Sequence, residues 1–297
     1  MTTQSSVLKL HPQTRPPARS IWWQAARRFG RNRMAIVGAV LFTTILIGAF
    51  GAPVLARYSY DQASFTEIWK PPSAEHWLGT DKVGRDVFSR LLYGMRTSLI
   101  IGFGVQIVVL AVGVILGTVS GMAGGKVDFT LMRVVDVVAS FPTLLFAILA
   151  MSLLGSGVGN MMLALSISSW VIIAQLTRAQ ILSLRERDFV LASQSFGAPQ
   201  SWIIRMHMIP NVIPPLIVSS TLAIPSYIVS EAGLTYLGAG INPPLPSLGQ
   251  QIQEASVYLL AHPDYMLYTA ITLAVLILAI AYIGDGLREA LDPRALD

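Results

Sequence analysis

Residues able to do covalent or metal chemistry are sparse in this chain. It holds no cysteine, which excludes a thiol nucleophile, a disulfide framework and a thiolate-ligated metal. Its four histidines, His11, His76, His207 and His262, are scattered, with no pair at metal-ligand spacing. A phosphate-cradling P-loop requires G-x4-G-K-[ST]. The nearest approach, Gly125-Lys126, continues into Val127 and has Ser120 where the first glycine belongs. Neither H-E-x-x-H nor G-x-S-x-G occurs, and a lone Asp136 with isolated serines does not make the facing pair an intramembrane protease needs. No catalytic residue and no metal ligand is expected.

What remains is two carboxylates set in apolar surroundings and one polar segment. Ionised groups at membrane depth are costly and usually face protein or water. Asp136 follows Arg133 by three residues, which fits either a local ion pair near the headgroups or a gating role. Glu231 follows Pro225, which bends or loosens a helix. It is a candidate to line a pathway and meet a cationic solute, or else to reach the outer interface or pair with basic residues of the first outer loop. The polar segment is residues 187–211, RDFVLASQSFGAPQSWIIRMHMIPN. Phe189, Ala192 and Phe196 recur at helical spacing, and Gly197 and Pro199 interrupt. A second short helix with Trp202, Ile203 and Met206 then leads to Pro210. Gly closing one helix and Pro opening the next are ordinary stop and start signals, so this segment is expected to be a helical hairpin.

The elements that must position these residues are membrane spans. The chain has 297 residues, of which 53% are hydrophobic and 12% charged, against about a quarter charged in a soluble domain. Uncharged runs of about 20 residues suffice to cross a hydrocarbon core of about 30 Å. Six are predicted, at residues 34–55, 97–121, 132–154, 160–177, 212–237 and 265–284, the third and fourth divided by the glycine-rich stretch 155–159. Residues 1–33 form a basic tail without a cleavable signal pattern. With both termini in the cytoplasm, that side holds fifteen Lys and Arg against six outside, the positive-inside arrangement. This bias explains the net charge of +5 better than nucleic-acid binding does, because the basic residues are not massed with interleaved aromatics. Residues 187–211 are then cytoplasmic. Gly113, Gly117 and Gly121, at four-residue spacing, form a ridge for close helix approach. In the long first outer loop, Val87, Phe88, Leu91, Leu92 and Met95 recur opposite Arg85, Asp86 and Arg90, which predicts an amphipathic helix along the membrane surface.

At this point the motifs resemble a known family. Residues 187–211 are similar to the EAA loop of the membrane subunits of ATP-binding-cassette importers, patterned EAA, three residues, Gly, nine residues, I-x-L-P. Gly197 takes the glycine position, Ile209 replaces leucine conservatively, and Pro210 is the proline. Leu191, Ala192 and Ser193 stand at EAA and His207 at isoleucine. Residues 76–99 and 283–294 resemble the first-loop and C-terminal signatures of the second permease subunit of dipeptide, oligopeptide and nickel importers. Arg133, Asp136 and Pro142 match its M-R-x-x-D-x5-P pattern. The segment LGAGINPPLPSLG resembles LGLGAQPPTPEWG but carries Ser247-Leu248 for Glu-Trp, and Glu231 stands where alanine is common.

The resemblance implies an all-α integral membrane protein of the type I importer permease fold, with six spans, both termini inside, and residues 34–297 as the transmembrane domain. It implies a multi-pass protein of the bacterial inner membrane that binds no cofactor itself. The expected partners are a second permease subunit, giving a heterodimer, two ATPase subunits that bind ATP and magnesium, and an extracytoplasmic solute-binding protein. Arg187, Asp188, Phe189, Ala192, Ser193, Phe196, Gly197, Trp202, Arg205, His207 and Pro210 are the implied ATPase-coupling residues, with Glu231 and Asp136 as pathway candidates. The implied cargo is a di- or oligopeptide, with a nickel or other metal chelate, or another small solute, as the alternative. An ion-coupled secondary transporter and a non-transporting membrane scaffold are the alternatives from other classes. The former calls for several buried ionisable groups and often inverted repeats, poorly matched by one aspartate and one glutamate.

Overall fold

The computed structural model describes residues 21–292. The expectations resting on Lys9, His11, Arg15, Arg19 and Arg294 lie outside the described residues. The described residues are helical throughout except for loops, with one isolated antiparallel bridge between Thr80 and Asp86. A short helix α1 (Ile21–Phe29) precedes α2 (Arg33–Phe50), whose N-cap Asn32 accepts a hydrogen bond from the Ala35 amide. A single turn, α3 (Ala52–Leu55), leads into the first outer loop. Next come α4 (Val87–Ala123), α5 (Gly125–Ala139), α6 (Thr143–Leu154), α7 (Val158–Arg185), α8 (Asp188–Ser195) and α9 (Gln200–Ile203). A π-helical turn, Ile204–Met208, joins α9 to α10 (Ile209–Tyr236), followed by α11 (Leu248–Val257) and α12 (Pro263–Leu291).

The glycine ridge fixes the central pair. A Cβ on Gly117 would lie 2.5 Å from the Ala174 carbonyl oxygen, and one on Gly113 or Gly121 would press on Ile173 or Ile181. Without side chains at these positions α4 and α7 come into backbone contact, which is how helices associate where lipid supplies no hydrophobic drive. The same device sets α12 against α2, where a Cβ on Gly38 would stand 2.6 Å from the Tyr282 Cβ.

Three expectations need correction. The run at residues 132–154 is not one helix, because α5 and α6 meet at an 84° bend. Pro142 cannot donate a helix hydrogen bond and disfavours helical geometry at Phe141, and the chain turns there. Residues 87–95 do not lie on the membrane surface. They are the first turns of the 37-residue α4, and Arg85 and Arg90 on their polar side are buried in protein. Third, the second helix of the 187–211 hairpin does not stop at Pro210. It runs through the π turn into α10, so residues 200–236 form one continuous helical span. The wider turn accommodates Pro210, which lacks the amide hydrogen an α-helix would use.

Candidate functional site

The hairpin is built by a capped break. Gly197 closes α8 with φ +76°, a left-handed conformation that glycine adopts freely. The Ala198 amide donates to the Ser193 carbonyl at 3.1 Å, and the Gly197 amide to the Gln194 carbonyl at 2.9 Å, which is the Schellman pattern of a closed helix end. Val190, Ile203 and Met208 turn inward and are buried, so both arms are pinned to the body. His207 ties the arms to each other. Its Nε2 lies 3.0 Å from Ser193 Oγ, and its ring packs 5.4 Å from Phe189 and 5.0 Å from Trp202. Ser193 Oγ also lies 2.8 Å from the Phe189 carbonyl oxygen, so both contacts are satisfied when Oγ donates to that carbonyl and Nε2–H donates to Oγ.

The outward face is apolar. Phe196 is 90% exposed, and Phe189, Leu191, Trp202 and Met206 on the same hairpin are also exposed. Arg187, Asp188, Ala192, Arg205 and Pro210 are exposed around this patch. Leu191 and Met206 are among the exposed apolar residues of the hairpin although residue spacing did not single them out together. Ile203, assigned to the same short helix as Trp202 and Met206, is 2% exposed and serves as an anchor instead. A period of 3.6 tells which residues share a face but not which face is covered.

At the opposite end a charged cluster locks the first outer loop to α4 and α11. Arg85 Nε donates to Asp81 Oδ2 at 2.7 Å and Arg85 Nη2 to Glu254 Oε2 at 2.9 Å. Arg90 Nη2 reaches the same Glu254 oxygen at 3.3 Å. The Asp81 and Arg90 side chains are wholly buried and the other two nearly so. Burial acts to lower the pKa of Arg85, but the Asp81 and Glu254 carboxylates outweigh it and hold the value raised. Beside this cluster, His76 Nδ1 lies 2.9 Å from Asp86 Oδ1, while Asp86 Oδ2 caps α4 at the Ser89 amide.

Of the two carboxylates at depth, Asp136 makes the local contact, with Arg133 Nη1 at 3.4 Å and both side chains more than half exposed. Glu231 has no solvent exposure in this structure. Ser98 Oγ donates to one carboxylate oxygen at 3.0 Å and Thr235 Oγ1 to the other at 3.1 Å. Of the first-loop arginines, which were one of the partners considered for Glu231, Arg85 and Arg90 are held by Asp81 and Glu254. A charge pair that residue reading passed over, Asp128 with Arg178 at 2.5 Å, ties α5 to α7. Among the described residues no group of three or more His, Asp or Glu side chains could hold a metal ion.

A bundle of long apolar helices carrying a rigid hairpin at one end and a charge-locked loop at the other defines a multi-pass helical membrane protein, and comparison with known proteins makes this specific. Residues 113–297 match the family described as binding-protein-dependent transport system inner membrane component. Residues 20–72 match the N-terminal transmembrane domain of oligopeptide transport permease C. The chain belongs to the family of binding-protein-dependent transport system inner membrane components. It is 38% identical to the oligopeptide transport system permease protein OppC of Bacillus subtilis, over 93% of this chain and 90% of that one. It is 35% identical to the dipeptide transport system permease protein DppC of Alkalihalophilus pseudofirmus, over 95% and 93%. Among solved structures it resembles the inward-facing MetNI methionine ABC transporter, with TM-score 0.56 and 20% identity over 68% of this chain and 96% of that one, a likeness of fold. The chain is accordingly a multi-pass protein of the bacterial inner membrane.

Proposed function

We propose that this chain is one of two permease subunits of an ATP-driven, binding-protein-dependent importer of di- or oligopeptides, and that residues 187–211 couple it to an ATPase subunit. The observation that carries the coupling role is the exposed patch on the hairpin. Five large apolar side chains stand in solvent on a segment whose own anchors, cap and histidine contacts hold it rigid. Exposed apolar clusters of this kind mark protein interaction sites. Positive-inside counting puts the patch on the cytoplasmic side, where an ATPase would meet it. Relatives named as oligopeptide and dipeptide permeases support the peptide cargo.

On this reading the ATPase subunits bind and hydrolyse ATP with magnesium, and this chain catalyses nothing. Phe196, Trp202 and their neighbours enter a cleft on the ATPase, with Arg187, Asp188 and Arg205 at the rim. ATPase closure draws this hairpin and that of the second permease together. Because α9 runs unbroken into α10, displacement of the hairpin is delivered directly to that span. The outer loop, stiffened by the Asp81–Arg85–Arg90–Glu254 cluster, presents a fixed surface to the solute-binding protein.

Gly197 supplies the test. A Cβ there would meet nothing within 4 Å among the described residues, so a side chain costs the fold only the left-handed strain, about 1–2 kcal/mol. Gly197→Trp should insert normally into the membrane yet abolish peptide uptake and uncouple ATP hydrolysis, because the bulk projects into partner space. Gly197→Asn, which tolerates positive φ, should retain much of the uptake. Normal uptake by Gly197→Trp at normal protein level would rule out the coupling role.

A further inference from the structure

Between the bend joining α5 to α6 and the middles of α7 and α10 lies a cavity of about 600 Å³. Its polar lining is hydroxyl in character. It includes Thr143 after the bend, Ser168 on α7, and Ser219, Ser226, Tyr227 and Ser230 on α10. Among the described residues no charged side chain lines it. The α10 serines sit at i, i+7 and i+11, one face of a helix.

Ser169 in this lining, like Ser166, Thr221, Thr269 and Thr272 in the spans, turns back to the carbonyl one turn earlier. Ser168 does not. It is 8% exposed, and its Oγ is buried against the cavity without a hydrogen-bond partner. Across the cavity Ser226 is exposed and Ser219 and Ser230 are half-buried, so their hydroxyls stand open to whatever enters it. Leaving a buried hydroxyl unpaired costs about 1–3 kcal/mol, so Ser168 Oγ, facing the open α10 serines across the cavity, calls for a polar occupant. With no formal charge in the lining, the occupant is held by hydrogen bonds alone.

We propose that this cavity is the chain's own share of the solute path at mid-membrane depth, and that it takes the amide groups of a passing peptide backbone without selecting side-chain charge. The proposal rests on the import function above and adds the residues and the recognition chemistry. A hydroxyl can donate to a peptide carbonyl or accept from a peptide amide. It serves either group equally as the backbone slides past. Neither Asp136 nor Glu231 enters this lining, so a cationic and an anionic side chain meet the same surroundings there.

The test uses the complete transporter in proteoliposomes, with tri-alanine, tri-lysine and tri-glutamate as probes. Each rate is normalised to the wild-type rate for that peptide, which cancels any preference of the binding protein. Ser226→Lys should depress tri-lysine uptake about tenfold relative to tri-glutamate, and Ser226→Glu should reverse the order, as like charges in a partly desolvated site repel. Ser226 is exposed in this chain, so neither variant burdens folding. Because the chain has no cysteine, Ser226→Cys also gives a unique reactive position in this subunit. A membrane-impermeant maleimide should label it in the assembled complex, and tri-alanine during turnover should slow the labelling. Equal loss of all three peptides in both charge variants would overturn the site while leaving peptide import standing. So would an S226C thiol shielded in the complex whether or not peptide is present, which would assign the face to contact with the second permease. Failure of the wild-type complex to take up any of the three would overturn the import reading and the site with it.

Discussion

Replacing Glu254 by glutamine tests whether the outer loop is held by charge. Glu254 Oε2 receives Arg85 Nη2 at 2.9 Å and Arg90 Nη2 at 3.3 Å. The two guanidiniums are balanced by two carboxylates, Asp81 and Glu254, and all four groups are at least nine-tenths buried. Glu254→Gln keeps the shape but leaves two cations against one anion. Removing one partner of a buried ion pair typically costs about 3–5 kcal/mol, equivalent to roughly two to three and a half powers of ten in an equilibrium constant. Equilibrium unfolding of the detergent-solubilised protein measures the total, and protease cleavage within residues 56–86 locates it. Arg90→Met should cost a similar amount by leaving an anion unpaired. The double variant Arg90→Met/Glu254→Gln restores neutrality around Arg85 and Asp81 and should recover about 2 kcal/mol of the summed loss, coupling of the size seen between contacting residues. As a control, Asp136→Asn breaks a pair whose side chains are 65% and 52% exposed and should cost no more than about 1 kcal/mol. Single variants that lose less than the Asp136→Asn control, or costs that simply add in the double variant, would refute the charge-lock reasoning.

Two further perturbations concern packing. Gly117→Ala places a Cβ 2.5 Å from the Ala174 carbonyl oxygen and must push α4 from α7, at about 1–3 kcal/mol. Gly159→Ala meets nothing within 4 Å and should be neutral or gain about 0.5–1 kcal/mol. Thermal midpoints of the pair in detergent should therefore move in opposite directions or differ in this order. His207→Ala removes the Ser193 contact and the ring packing between the hairpin arms, a loss of about 1–2 kcal/mol. Faster proteolysis near Gly197 without a change in the global midpoint is the expected result, and unchanged proteolysis would show that the anchors Val190, Ile203 and Met208 hold the hairpin alone.

Features set by neighbours along the chain were legible from residue type. Scarcity of charge identified a membrane protein because a lipid-facing helix cannot carry ionised groups cheaply. Gly197 and Pro199 marked the hairpin break because backbone geometry at glycine and proline is local. The ridge of Gly113, Gly117 and Gly121 announced a close helix partner, though not that the partner was α7. Tertiary structure decided the rest. The polar side of residues 87–95 resembled a face toward water, yet its arginines are compensated by Glu254, 164 and 169 residues away. Glu231 resembled a pathway charge, yet Ser98, 133 residues away, covers it. The uncharged run 132–154 resembled one span because hydropathy records where a chain can sit in lipid and says nothing of an 84° turn at Pro142. That turn makes room for the hydroxyl-lined cavity, whose serines come from two helices that only packing brings face to face. Solvation, capping and turn geometry are properties of a residue and its neighbours, so sequence alone determined them. Charge compensation and cavity lining depend on groups far apart in the chain, so they existed only once the helices were assembled.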